Sequence, residues 1–409
     1  MKILLCSLNY TPELTGIGKY SGEMAVWLAA SGHAVRVVTA PPYYPDWKVG
    51  EGYSAGSYRR ECSDGVDVRR CPLWVPDRPS GLKRLIHLAT FAVSSLPAML
   101  RQVFWRPDVV WVVAPAFFSA PGAWLTARLC GAPVWLHVQD YEVDAAFDLG
   151  LLKGAWLKKL VLGVERWLFQ RFDVVSTISH RMLDRAQAKG VAPGQTRLFP
   201  NWVDISAIKS GQSGAAYRAE LGIPAGRVVA LYSGNMGGKQ GLDILADAAR
   251  LLVDDERLFF VFCGNGAGRP ELEALSRNLP NVRFLDLQPL ERLGELLTFA
   301  DIHLLPQRAD AADLVMPSKL TGILASGRPV VATAHEGTEV ARVVERRGLV
   351  VPPEAPRAFA DAIASLAGDA ELRAQLGAEA RRYAEENLDK DAVLRRFEAD
   401  LLRLVAEKG

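Results

Sequence analysis

Two loop-to-helix junctions in the second half of the chain carry residues suited to holding an anion. The stretch Ser233-Gly-Asn-Met-Gly-Gly-Lys-Gln-Gly241 puts four glycines and Lys239 after a continuously apolar run, Val228-Val-Ala-Leu-Tyr232. Leu242, Leu245, Ala246 and Ala249 follow at helical spacing, so the turn delivers its amides to a helix N-terminus. Glycine lets the main chain lie close to a ligand, and a cation beside exposed amides attracts phosphate. A merely tight turn would explain the glycines and leave Lys239 without a purpose. Pro317-Ser318-Lys319 opens a second helix in the same manner, with Asp310 and Asp313 just upstream. Those two carboxylates either hydrogen-bond hydroxyl groups of a ligand or form a solvated acidic loop.

The first half offers a different grouping. His137 stands at the end of the apolar strand pattern Val134-Trp-Leu-His-Val138, followed by Gln139-Asp140-Tyr141-Glu142. A histidine near a strand end is often structural, but several polar groups at one strand's carboxyl end are the usual content of an active site. Gly16 and Gly18 again precede a helical pattern. The acidic pairs Glu142-x-Asp144 and Asp389-x-Asp391 are isolated, so the expectation is chemistry without a metal or other cofactor. The basic residues form no contiguous stripe of the kind that binds nucleic acid.

Positioning these groups requires a particular scaffold. Strand patterns near 2–8, 34–39, 66–71, 109–113, 133–138 and 173–177 alternate with helical ones, and the alternation restarts near 227–232, 258–263, 282–285, 301–305 and 329–332. Alternating strands and helices form parallel, doubly wound sheets that bind ligands at the strands' carboxyl ends. The 409 residues therefore divide into an α/β domain over 1–199, a second over 200–385, and a helix over 386–409 that is expected to cross back to the first. Two Rossmann-like domains facing a cleft are expected.

Composition narrows the setting. The formal charge of +2 conceals +7 over residues 1–200 and −5 over 201–409. Five cysteines without C-x-x-C spacing fit a reducing cytosol. The opening Met1 to Asn9 reads as a core strand, not a leader, and no 18-residue apolar run is present. Residues 82–105 and 149–172 are basic, apolar and tryptophan-bearing. They are either helices packed on the sheet or amphipathic elements that lie on an anionic membrane.

Taken together, several stretches resemble the retaining GT-B glycosyltransferases of family four, and within them the colanic-acid biosynthesis fucosyltransferase group. The matching stretches are Asn9-Tyr-Thr-Pro-Glu-Leu-Thr-Gly-Ile-Gly-Lys-Tyr20, Ala40-Pro-Pro-Tyr-Tyr-Pro45, His137 to Ala146, Pro200-Asn-Trp-Val-Asp204, Tyr232-Ser-Gly-Asn235 and Pro317-Ser-Lys-Leu320. The resemblance implies a nucleotide-sugar donor in the C-terminal domain and an acceptor, a lipid-linked saccharide, in the N-terminal one. It implies a donor set of Gly16, Gly18, Gly234, Asn235, Gln240, Gly264, Asn265, Leu287, Gln288, Asp313, Pro317, Ser318, Lys319 and Glu339, with His137, Asp140 and Lys239 at the reaction.

The chain departs from this family in two places. The usual Arg and Lys of the glycine loop are replaced by Asn235 and Gln240, leaving Lys239 and Lys319 as charge partners. The usual paired glutamates are replaced by Leu314 and Gly322. The expected setting is peripheral, on the cytoplasmic face of the plasma membrane, in exopolysaccharide or O-antigen synthesis. Two rivals are a non-hydrolysing UDP-sugar 2-epimerase and a two-lobed sugar-binding protein without catalysis.

Overall fold

The computed structural model describes residues 1–14, 16–78, 80–114, 117–141, 155–209, 214–237, 240–309 and 317–408. They form two compact units, Met1–Pro200 with Leu394–Gly409, and Asn201–Val393.

Unit 1 is built on β1 (Lys2–Ser7), β2 (Ala34–Thr39), β3 (Arg59–Ser63), β4 (Val66–Arg70), β5 (Val109–Ala114), β6 (Val134–Val138), β7 (Val174–Thr177) and β8 (Thr196–Leu198). They form one eight-stranded sheet in the order β3-β4-β2-β1-β5-β6-β7-β8. The central strands β5 and β6 are buried at every residue, as parallel strands covered on both faces must be. The expectation of parallel pairing fails at one edge, where β3 runs antiparallel to β4. The reason is the turn Asp64-Gly65, with φ of 51° and 79°, which suits a tight hairpin. The helix Lys390–Lys408 contributes its residues from Leu394 onward to this unit. Phe397 packs 4.5 Å from both Trp111 and Phe199, and Glu398 meets His33 at 2.7 Å.

Unit 2 holds β9 (Val228–Ser233), β10 (Leu258–Cys263), β11 (Val282–Leu285), β12 (Ile302–Leu305), β13 (Val330–Thr333) and β14 (Gly348–Val351). The order is β11-β10-β9-β12-β13-β14, all parallel. The chain switches direction of travel across the sheet between β9 and β12, and that is where an open parallel sheet leaves a crevice at its carboxyl edge. The run Leu-Phe-Phe-Val-Phe-Cys of β10 is wholly buried. Among the described residues helices on both faces complete three cores, one joining β9 and β10 to the helices Asp243–Leu251 and Pro356–Gly368, another joining β12 and β13 to Lys319–Ala325, and a third joining β9 and β10 to Leu290–Phe299. Among the described residues of this unit side-chain caps set four helix starts: Asp204 receives the N–H of Ser206, Thr338 that of Ala341, Asp369 that of Leu372 and Asp389 that of Ala392.

Candidate functional site

The carboxyl ends of β9 and β10 come together through glycine. Gly234 donates its N–H to Cys263 O at 2.9 Å, Met236 to Asn265 O at 2.9 Å, and Gly268 to Met236 O at 2.8 Å. Gly264 closes the next step by donating to Leu285 O at 3.0 Å. Gly234, Gly264 and Gly266 adopt φ of 139°, 146° and 148°, where side chains are strained. A methyl group on Gly264 would overlap the Gly234 carbonyl, 2.9 Å from its carbon. One on Gly266 would come within 2.7 Å of Asn235 Oδ1. The two loops touch through their main chains, and no other residue type permits that approach.

Lys319 enters this corner from the start of the helix Lys319–Ala325. Its ammonium donates to Tyr232 Oη at 2.6 Å and to Asn235 O at 3.2 Å, while Tyr232 Oη donates to the same carbonyl at 2.7 Å. The charge also lies 4.3 Å from the centre of the Tyr232 ring. A methyl group on Gly234 would overlap Lys319 Cε and stand 2.9 Å from Cδ, so the glycine makes room for the lysine. Burial pulls the ammonium down from 10.5 to about 8, and it pushes the Tyr232 phenol up. A lysine so placed is a cation that a neighbouring anion would hold in its charged form.

Several expected residues join this corner in unit 2. Asn235 supplies its carbonyl to Lys319, and Gln240 lies against Gly237 with its Oε1 buried and without a hydrogen-bond partner. Gly264 and Asn265 form the second loop, and Arg269 reaches Gly264 O at 3.0 Å while pairing with Asp286 and Glu273. Gln288 bridges the β11 end, accepting from Tyr217 Oη at 3.1 Å and donating to Asp286 O at 2.9 Å. Leu287 beside it is exposed. Pro317 and Ser318 precede Lys319, and Ser318 shows no side-chain cap to the helix. Glu339 opens the helix after β13 and pairs with Arg342. Lys239, Asp310 and Asp313 lie outside the described residues. Tyr232 was not anticipated, because its partner Lys319 is 87 residues away.

Unit 1 holds the remaining ones. Gly16 and Gly18 belong to this unit, and a methyl group at Gly18 would come within 2.7 Å of the Glu13 carboxylate. That carboxylate is buried, accepts the N–H groups of Tyr43 and Tyr44 at 3.0 Å each, and receives Asn9 Nδ2 at 2.9 Å. Burial raises its pKa against these hydrogen bonds. Glu13 thus ties the loop after β1 to the loop after β2, a role that its lone position in the sequence concealed.

His137, expected at the reaction, lies in a buried aromatic setting. Its side chain is 2% exposed and stacks 5.4 Å from Trp111, with Phe199 at 5.1 Å. His137 Nδ1 lies 2.9 Å from Ser176 Oγ, which also receives the Trp135 indole N–H at 2.9 Å. Burial lowers its pKa to about 3, so the ring is neutral and sits in an aromatic core. The polar groups that do reach the carboxyl edge of β6 are Gln139 and Asp140, both half-exposed. Among the described residues no group of three or more His, Cys, Asp and Glu side chains is gathered to hold a metal ion.

The two amphipathic segments also show a definite face. Trp156, Leu160, Val164 and Trp167 recur along one side of the helix Ala155–Phe169 and are all exposed, as are Leu82, Ile86, Val93 and Leu96 on the helix Gly81–Leu100 and Phe104 just beyond it. Arg171 lies 4.5 Å above the Trp167 ring. Among the described residues no helix is long and apolar enough to cross a membrane. Residues 149–154 lie outside the described set.

Comparison with known proteins agrees with this architecture. Residues 15–202 match the family described as Glycosyl transferase 4-like domain, and residues 214–383 match Glycosyl transferases group 1. The chain is 46% identical over 411 residues to the Escherichia coli K12 protein named for colanic acid biosynthesis, glycosyl transferase WcaI, covering 98% of this chain and 100% of that one. Among solved structures, sucrose-phosphate synthase of Thermosynechococcus elongatus superposes with a TM-score of 0.76 at 20% identity, covering 100% of both chains. Anabaena HepE, solved with UDP and glucose, gives a TM-score of 0.70 at 16% identity over 98% of this chain and 100% of that one. At those identities the two structures speak for the fold alone.

Proposed function

Since the chain belongs to the family four, GT-B glycosyltransferases, we propose that it is a retaining enzyme moving a sugar from a nucleotide donor to a lipid-linked saccharide. The donor is a GDP-fucose-like or UDP-linked sugar. The product belongs to exopolysaccharide or O-antigen synthesis on the cytoplasmic face of the plasma membrane. One observation carries the reading: the corner of unit 2 where Gly234, Gly264 and Gly266 bare the main chain beside the ammonium of Lys319. A diphosphate needs close backbone approach and a cation, and this corner offers both.

Lys319, together with Lys239 of the glycine loop, offsets charge on the departing diphosphate, the effect that dominates such catalysis. Transfer needs no metal because these cations take the charge. Asn235, Gln240, Gly264, Asn265, Leu287, Gln288, Asp313, Pro317, Ser318 and Glu339 complete the donor side. Unit 1 takes the acceptor, with Asp140 at the end of β6, while Gly16 and Gly18, at the loop that Glu13 braces, belong to the donor set. The exposed Trp156 and Trp167 among Lys159 and Arg171 support docking on anionic lipid, where a lipid-linked acceptor is presented.

The test is transfer of labelled sugar from GDP-fucose and a panel of UDP-sugars to a lipid-linked saccharide fraction, with the product anomer read by NMR and the reaction repeated in EDTA. Retained configuration and unchanged rate in EDTA support the reading. Sugar release without any glycosylated lipid, or inversion, rejects it.

A further inference from the structure

Another segment lies against the glycine turn. After β12 the chain runs through Pro306-Gln307-Arg308, and Gln307 is fastened by both main-chain groups to one hydroxyl. Its N–H donates to Thr333 Oγ1 at 2.6 Å, and its carbonyl accepts from that oxygen at 2.8 Å. This anchor lays the next residue on Gly241, which closes the turn with φ of 58° ahead of the helix Asp243–Leu251. A methyl group on Gly241 would stand 3.3 Å from Arg308 Cγ and 3.6 Å from its N. The exposed Arg308 therefore rises from a fixed main chain at the rim of the anion corner.

A second observation comes from the neighbouring amides. Gln307 Oε1 and Gln240 Oε1, in the two segments that meet at Gly241, are both buried without a hydrogen-bond partner. Unsatisfied buried acceptors are rare, and such a pair beside a glycine turn suits a ligand that brings hydroxyl donors. Asn235 and Gln240 are neutral, and Lys319 holds its proton only up to about pH 8.

Resting on the donor reading above, we propose that Arg308 is a donor-binding residue whose guanidinium pairs with the diphosphate of the nucleotide sugar. An arginine keeps its charge at every working pH and can meet two phosphate oxygens at once. It adds a permanent cation to those of Lys239 and Lys319, and it explains why the segment after β12 is laid so closely on Gly241.

The experiment is calorimetric titration of UDP, GDP, UMP and GMP into the full chain and its variants. Arg308→Gln should weaken binding of the preferred diphosphate by roughly 10-fold or more, the scale of a lost charged hydrogen bond, and leave the monophosphate nearly unchanged. Arg308→Lys should recover part of the loss. Arg277→Gln, an exposed arginine on the same unit, should bind as wild type does. Melting temperatures of all variants are recorded alongside, so that affinity is compared between folded proteins. Wild-type affinity in Arg308→Gln, or equal losses for diphosphate and monophosphate, overturns the proposal while the donor reading stands. Failure of the wild-type protein to bind any of the nucleotides overturns both.

Discussion

Replacing Gly234 by alanine should damage the protein mainly through Lys319. The backbone there has φ of 139°, which costs a side-chain-bearing residue about 1–3 kcal/mol. The new methyl would also stand 2.9 Å from Lys319 Cδ and overlap Cε, forcing the ammonium off Tyr232 Oη, now 2.6 Å away. Losing that charged hydrogen bond adds about 1.5–3 kcal/mol. In a Lys319→Ala background only the backbone strain remains. The urea-unfolding free energies of wild type, both single variants and the double variant should therefore be non-additive, with a coupling of about 1.5–3 kcal/mol. Nucleotide affinity should behave alike, because Gly234→Ala removes the same cation that Lys319→Ala removes. If Gly234→Ala costs as much without Lys319 as with it, the lysine is not what the glycine accommodates.

Three further outcomes follow from the same coordinates. Lys319 titrates near 8, and a bound diphosphate should raise that value, so donor affinity should hold below pH 8 and fall above it by up to about tenfold per pH unit. Lys319→Arg should flatten the profile, and an equally steep decline in that variant would contradict it. In the ligand-free protein the sign reverses: between about 8 and 10.5 only the unfolded chain binds this proton, so Lys319 makes stability rise with pH. His137, held near 3 against an ordinary 6.5, should make stability fall as pH drops from 6.5 toward 3, by up to about 1.4 kcal/mol per unit. His137→Phe should flatten that slope and keep turnover at neutral pH, whereas a well-folded variant without activity would return the imidazole to the reaction. Trp156→Ser with Trp167→Ser should reduce co-sedimentation with anionic vesicles several-fold, and high salt should weaken the wild type, each held cation being worth about 1 kcal/mol. Equal partitioning of both proteins would make these helices ordinary surface.

What was legible in the sequence was what repeats locally. Apolar runs such as Val228–Tyr232 and Val134–Val138 announced buried parallel strands, and their alternation with helices announced two doubly wound sheets. β3 escaped because Arg59-Arg-Glu-Cys-Ser63 is polar on both faces, with only Asp64-Gly65 to mark its hairpin. Lys319 was readable from its loop-to-helix junction, but Tyr232 and Gly234 were linked to it only by the pairing of distant strands. The burial of His137 escaped for the opposite reason. Its place at a strand end was correct, yet β5 and β7 flank β6 on both sides and Phe397 caps the aromatic cluster from the far end of the chain. Arg308 and Glu13 act through segments that meet only in three dimensions, so no local pattern could single them out.

The central claim is that the glycine corner of unit 2 holds a nucleotide-sugar donor, and titrating GDP-, UDP- and dTDP-sugars into wild type and Lys319→Ala tests it most directly. One nucleotide class should bind at one site per chain, with affinity lowered roughly 10- to 100-fold in the variant, as loss of a charged hydrogen bond requires. Equal affinity in both proteins, or no binding of any of these sugars to wild type, would contradict it.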